Sequence, residues 1–324
     1  MAAERSRNEC GNIVNGLLGL LQGIAKAKTS RWRQNLENCL DSATIRDRHE
    51  AIVCIYNRVF EGYQNADDSR WYDPYHTLFS TGFALRLIGA ESGRVRDIEL
   101  ILPAILLHDI GYYAVQDKTQ WSGRNSRIIH MQEGAARAAG VLCECAKGFG
   151  PEEIERIGGR DFGPEAIERI VGMIAVHDNP YLGIPIGDDP LRQALRDCDR
   201  VWVMHALSFY KDWVHKAKDY PGDSGIADFL CDRAVQFYGD PFPECLQKRF
   251  GQPSADLVEK NRSRIEPPHF DAAEALIDKL FQRRIDEIDK INDVCLQSAS
   301  TDLRKHKEYL EERINGDFDL LETL

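Results

Sequence analysis

Residues 98–109 read IELILPAILLHD, and residues 110–115 continue IGYYAV. Apart from Glu99, every position before His108 is apolar or proline. A helix that shows no polar face is buried on all sides, so the run predicts a core helix over 97–109. Pro103 belongs to its early turns or kinks it. The helix ends on His108-Asp109, with Gly111 close behind. A neutral imidazole and a carboxylate at adjacent positions of a helix end can turn toward one point, a donor set that suits Mn, Fe, Zn or Mg. The plainer reading is a core pair in which Asp109 accepts the imidazole N–H.

A helix without a polar face needs other helices around it, and the flanking sequence supplies them. Helical spacing recurs over residues 12–27, 31–40, 45–62, 76–88, 127–147, 164–176, 189–216 and 222–238. In the third of these, Ile52, Ile55, Val59 and Phe60 form one stripe with Tyr56 beside it. No period-2 strand bounded by turn signals is present, nor any fixed repeat. The fold class is therefore all-α. Residues 239–269 carry five of the 13 prolines and read as a loop or lid. Residues 271–324 read as one or two long charged helices. The chain divides on this reading into an N-terminal helical extension (1–70), a core (71–216) and a C-terminal helical extension with the Pro-rich segment (217–324).

The 324 residues suit one large domain or two ordinary ones, and 43% hydrophobic content supports a sizeable core. The formal net charge of −11 argues against extended nucleic acid as a partner but leaves room for a small anion met by a few local cations. The nine cysteines are odd in number, scattered, and partly embedded in apolar helical patterns. They read as reduced core thiols, which points to the cytoplasm. The apolar run at 13–25 is too short and too polar to span a bilayer, so no membrane partner is expected. The alternating charges of residues 304–313 fit a solvated or oligomer-facing helix, which makes a homo-oligomer compatible with the sequence.

The histidines sharpen the chemistry. His76, His108-Asp109, His130, His177 and Asp199 follow one another, each on or beside an apolar helical segment. The intervals of 22, 47 and 22 residues after His108 each allow a helix and a return, so all six side chains can meet in a bundle core.

This H…HD…H…H…D order resembles the HD-domain superfamily of metal-dependent phosphohydrolases, over residues 76–206. HDIGYYAVQDK is similar to the HDIGK region of the HD-GYP branch. IIHMQEGAARAAGVL is similar to its segment with a histidine and a glycine four residues on, here His130 and Gly134. VHDNPYLG falls where that branch has HHE. The departures are Tyr112 in place of the lysine, a single histidine at His177-Asp178, and no GYP tripeptide, so cyclic-di-GMP is not carried over.

The resemblance implies an HD-like helical bundle in which His76, His108, Asp109 and Asp199 hold one ion. His130 and His177 would hold a second, with Asp109 bridging. Asp197 competes with Asp199 for the last place; residues two apart on a helix point in different directions, so only one reaches the metal. Two divalent ions, Fe or Mn first and Zn or Mg as alternatives, would lower the pKa of bound water and supply hydroxide for attack on a phosphoester or nucleotide. Asp109 would orient that nucleophile. Lys118, Arg124 and Arg127 would neutralise substrate phosphate, or are solvated loop charges. The same ligands also resemble the diiron HD oxygenases that act on a polyol or a phosphonate, and a non-catalytic HD sensor or scaffold is the third reading. Asp178 reads as the N-cap of a turn at Asn179-Pro180, with a role behind the metal ligands as the alternative. His205 reads as a core histidine. Trp71, Tyr72 and Tyr75 read as core packing or as walls of the pocket.

Overall fold

The apolar run at 98–109 is buried because four helices close around it. The computed structural model describes residues 49–65, 74–115, 123–147, 163–216, 225–239, 243–251, 266–290 and 303–323. Among these, every regular element is helical and no strand occurs. The chain divides into two compact units, one spanning Ser30–Arg200 and the other including Val201–Leu324. That division falls inside the 71–216 segment expected as a single core.

The first unit contains α1 (His49–Asn65), α2 (Pro74–Glu91), α3 (Ile101–Leu107), α4 (Arg124–Lys147), α5 (Pro164–Ile174) and α6 (Pro190–Arg200). Short 3₁₀ turns at Ile98–Leu100, Ile110–Ala114 and Asn179–Leu182 join them. All seven residues of α3 are buried, and α1, α2, α5 and α6 each pack on it. Each buried Leu or Ile of this helix contributes about 1.5–3 kcal/mol. Pro103 is the third residue of α3, where its missing N–H leaves no helical bond unmade. Prolines also open α2, α5 and α6, since a fixed φ suits the first helical position. The α1 stripe of Ile52, Ile55, Tyr56, Val59 and Phe60 is buried as its spacing requires.

A disulfide between Cys54 of α1 and Cys145 of α4 corrects the all-thiol reading of the cysteines. The two lie 91 residues apart, so only the packing of α1 on α4 brings them together. Cys143, Cys198, Cys231 and Cys245 are thiols; Cys10, Cys39 and Cys295 lie outside the described residues. No described helix is long and apolar enough to cross a membrane.

The second unit contains a 3₁₀ turn at Val201–Met204, then α7 (Ala206–Lys216), α8 (Gly225–Tyr238), α9 (Glu244–Phe250), α10 (Asp271–Asp286) and α11 (Leu303–Leu320). The single helix expected over 189–216 is thus interrupted after Arg200. No glycine or proline marks the break. Tertiary partners hold it instead. The Ala206 N–H donates to Asp317 Oδ2 at 2.7 Å, and Arg284 donates to the Met204 carbonyl at 3.3 Å. Arg284 is fully buried and grips Asp317 with two bonds of 2.6 and 3.1 Å and Glu287 with one of 3.0 Å. Removing one partner of such a buried pair strands a charge in the core. The Pro-rich segment is not loop throughout, because Glu244–Phe250 is helical; residues 252–265 lie outside the described set. His205 is buried in this unit, stacked on Trp202 with ring centroids 4.6 Å apart.

Candidate metal centre

All six expected ligands belong to the first unit. His76 sits in the first turn of α2, His108 caps the C-terminus of α3, His130 projects from α4, and Asp199 lies near the end of α6. Asp109 follows His108 with φ −98° and ψ 3°, a sparsely populated conformation common at functional sites. This sharp turn sends the chain into Ile110–Ala114 and leaves the carboxylate facing back over the helix end.

The carboxylate of Asp109 is divided between two groups of histidines. Its Oδ2 lies 3.2 Å from His76 Nδ1 and 3.2 Å from His108 Nε2. Its Oδ1 lies 3.7 Å from His177 Nε2 and 3.9 Å from His130 Nε2. The donor atoms of His76, His108 and Asp109 are mutually within 4.8 Å, as are those of Asp109, His130 and His177. Asp199 Oδ1 joins the first group, 2.8 Å from His76 Nε2 and 3.5 Å from His108 Nε2. Asp199 therefore faces the cluster, and Asp197, two residues earlier on the same helix, is turned away from that direction.

Three imidazoles have a fixed tautomer. Nδ1 of His108 donates to the Ile105 carbonyl at 2.7 Å, Nδ1 of His177 to Ile174 at 2.7 Å, and Nδ1 of His130 to Ser126 at 3.2 Å. A carbonyl only accepts, so each Nδ1 carries the proton and, in the neutral ring, each Nε2 offers a lone pair. His130 Nε2 and His177 Nε2 then stand 3.2 Å apart with a carboxylate beyond them. His108 Nε2 is buried and faces two carboxylate oxygens, 3.2 Å from Asp109 Oδ2 and 3.5 Å from Asp199 Oδ1. Converging lone pairs and carboxylate oxygens repel one another unless protons or a cation lie between them. The donor set thus fits divalent metal, with backbone carbonyls orienting the rings as in other histidine sites.

Electrostatics set His76 and His108 apart from His130. Burial alone would depress His76, but its bonds to Asp109 and Asp199 raise it to about 9. His108 behaves alike: burial opposes protonation and the charge of Asp109 overcomes it. Asp109 and Asp199 are resisted by burial yet held well below the usual carboxylate range by these histidines. His130 goes the other way, lowered to about 4 by burial that Asp178 only partly offsets.

A pH dependence follows. At neutral pH the metal-free His76 and His108 carry protons that a metal must displace. Uptake into the first group should release protons, and affinity there should rise by up to about tenfold per pH unit for each displaced proton, up to about pH 9. His130 is already neutral above about pH 4 and adds no such dependence. Calorimetry of metal binding at pH 7 in buffers of different ionisation enthalpy counts the protons; none released would refute the assignment.

The glycines of the two motifs have a packing role. A Cβ at Gly111 would lie 1.9 Å from the His130 carbonyl oxygen and 2.4 Å from the Gly134 nitrogen. A Cβ at Gly134 would lie 3.3 Å from the His108 carbonyl oxygen. The turn carrying Asp109 therefore rests directly on the α4 backbone, which fixes His130 against it. Tyr112, from the same turn, stacks on the His130 ring at 4.1 Å and 3°.

Asp178 lies beside the histidines, 3.6 Å from His130 Nε2, and does not act as the cap that its place before Asn179-Pro180 suggested. Its backbone precedes the Asn179–Leu182 turn, but its side chain makes no capping bond. Its φ −99° and ψ 6° repeat those of Asp109, and His177, like His108, bonds the carbonyl three residues back. Tyr112 N–H donates to Asp109 O at 3.0 Å, and Tyr181 N–H to Asp178 O at 3.1 Å. HDIGY and HDNPY are thus two copies of one H-D-x-x-Y device at two helix ends. The repetition was visible in the letters. Of the expected phosphate-binding cations, Arg127 reaches Asp178, Arg124 is exposed on the first turn of α4, and Lys118 lies outside the described residues. Tyr75 is buried; Trp71 and Tyr72 lie outside the described residues.

No family model, no curated protein and no solved structure matches this chain.

Proposed function

We propose that the protein is a metal-dependent hydrolase of a phosphoester or nucleotide, built on an HD-type dinuclear site. The observation that carries this reading is the division of the Asp109 carboxylate, with one oxygen toward His76 and His108 and the other toward His130 and His177. His76, His108, Asp109 and Asp199 would hold one ion, and Asp109, His130 and His177 the other. Such a pair supplies Lewis acidity, lowering the pKa of a coordinated water and countering charge on phosphoryl oxygens.

The chain's own residues do the rest. Asp109, acceptor-only when ionised, is placed to orient an attacking water from the middle of the cluster. The Nδ1 bonds to backbone carbonyls keep His108, His130 and His177 aimed inward through turnover. Tyr112 closes one face of His130 and keeps water from reaching that ring. Asp199, His76 and Asp109 keep 14, 10 and 9% of their side chains exposed, so a ligand approaches from their side.

The test is metal analysis joined to a panel of phosphomonoesters, phosphodiesters and nucleotides. Two equivalents of Mn, Fe, Zn or Mg and release of phosphate or nucleotide are expected. His130→Ala should retain the fold, bind one equivalent and lose most activity. Iron with oxygen uptake and no hydrolysis would replace this reading with an oxygenase. Retention of two equivalents and full rate in His130→Ala would refute the dinuclear assignment.

A further inference from the structure

The second H-D-x-x-Y device ends in a chain of buried charges that leads back to the first histidine group. Asp178 Oδ2 accepts from Arg127, and Asp178 Oδ1 from Arg196 Nη1 at 3.4 Å. The same Arg196 nitrogen donates to Asp199 Oδ2 at 3.3 Å. Arg127, Asp178, Arg196 and Asp199 thus alternate in sign, and Arg196 is divided between two carboxylates. Arg196 is 2% exposed, and a guanidinium at that depth is tolerated only where its charge is answered. Its face lies over the Tyr181 ring, 4.4 Å from the centroid. Asp178 and Tyr181 belong to the Asn179–Leu182 turn and the residue before it, so Arg196 is gripped by a segment other than the helix that carries it. The two oxygens of Asp199 have different partners. Oδ1 faces His76 and His108, and Oδ2 meets Arg196. Backbone carbonyls aim the rings of His108, His130 and His177. Among the described residues, Arg196 is the one side chain bonded to Asp199 that is not itself an expected ligand.

We propose that Arg196 is a positioning residue: by holding Asp199 Oδ2, it fixes the plane of that carboxylate and leaves Oδ1 alone to face a metal beside His76 and His108. This rests on the metal-centre reading and adds to it a residue that the ligand order does not contain. A carboxylate turns about its last torsion with only a broad preference, so an unheld Asp199 would offer either oxygen or both. Arg196 and Asp199 lie three residues apart on α6, on one face of the helix, which brings the guanidinium to the outer oxygen. An oxygen that already accepts a charge-assisted bond is a poorer donor to a cation, so Asp199 serves through the other. Asp178 and Tyr181 hold Arg196 in turn, and the carboxylate is therefore oriented before a metal arrives, as partners behind metal ligands commonly do. In this role Arg196 touches neither metal nor substrate.

The experiment titrates Co(II) into the metal-free full chain and follows its visible absorption. Wild type is compared with Arg196→Met, Arg196→Lys, Asp199→Asn and the two double variants, and circular dichroism is read on the same samples. Arg196→Met should weaken one of the two equivalents about 10–100-fold, the same one that Asp199→Asn weakens. Arg196→Lys keeps the charge and a donor, and should recover part of that affinity. In the Asp199→Asn background neither change at Arg196 should weaken that equivalent further, because the carboxylate it orients is gone. A merely structural arginine would lower affinity by the same factor in both backgrounds. If Arg196→Met does not fold, Arg196→Lys alone decides: a loss present with Asp199 and absent in Asp199→Asn supports the role, and any other result overturns it. Losses that multiply across the two backgrounds, or full affinity in both Arg196 variants, would overturn the positioning role and leave the metal centre standing. A wild type that takes up no Co(II) would overturn the metal reading and this role together.

Discussion

On the proposed two-ion reading, replacing Asp109 with asparagine should strip both metal equivalents from the protein at once. Each histidine faces one group, whereas Asp109 turns Oδ2 to the first and Oδ1 to the second. Asparagine keeps the shape but replaces one oxygen with an NH₂ group, which donates and does not ligate. It would also remove the negative charge that offsets repulsion between two bound cations. Loss of outer partners alone weakens metal sites about 10–100-fold, so loss of the shared ligand should exceed that for both ions. The contrast with His130→Ala is the decisive comparison: one equivalent lost there, two here. The metal-free variant should differ as well. Burial opposes protonation of His76 and His108, and Asp109 is a main reason that they hold protons. Without it, their titration should move down by NMR. Metal content after dialysis against a weak chelator gives the first readout, and retention of two equivalents would sink the bridging assignment.

Among the described glycines of the first unit, Gly111→Ala should be the most damaging substitution. The added carbon would sit 1.9 Å from the His130 carbonyl oxygen and 2.4 Å from the Gly134 nitrogen, well inside contact distance of backbone atoms that no rotamer change can move. Either α4 or the 110–114 turn must shift. Overpacking of this kind destabilises by about 3 kcal/mol or more, roughly 10 °C in Tm for a unit of this size. The shift would also separate Asp109 from His130, so second-site metal affinity should fall even in protein that stays folded. Gly134→Ala meets its nearest neighbour at 3.3 Å and should be milder. Thermal unfolding of both variants, with and without metal, tests the ordering; equal stability of Gly111→Ala and wild type would disprove the close approach.

Much of the first unit could be read from local chemistry. The apolar run of 100–107 required a helix with neighbours on every side, and α1, α2, α5 and α6 provide them. The 3.6-residue spacing of Ile52, Ile55 and Val59 required burial of that stripe. Helix breaks without glycine or proline were not legible. The interruption after Arg200 is held by Asp317 and Arg284, more than 80 residues downstream, and no local signal announces partners at that distance. The Cys54–Cys145 link is hidden for the same reason. Asp178 is a different case. Its H-D-x-x-Y frame was present in the letters, but an aspartate before Asn-Pro has a cheap local explanation as a cap, and only the arrival of Arg127 and Arg196 from two other helices showed a different partner.

The sequence by itself determined the all-helical class, the core position of the helix that ends on His108-Asp109 and the order of the six histidines and aspartates, because periodicity and residue chemistry are properties of single segments. Tertiary structure alone decided that Asp109 divides its oxygens, that Asp199 faces the cluster, and that Asp178 holds two arginines instead of capping a turn. Those outcomes depend on distances of a few ångströms between helices far apart in the chain, and such distances are set by packing of whole faces, not by any motif.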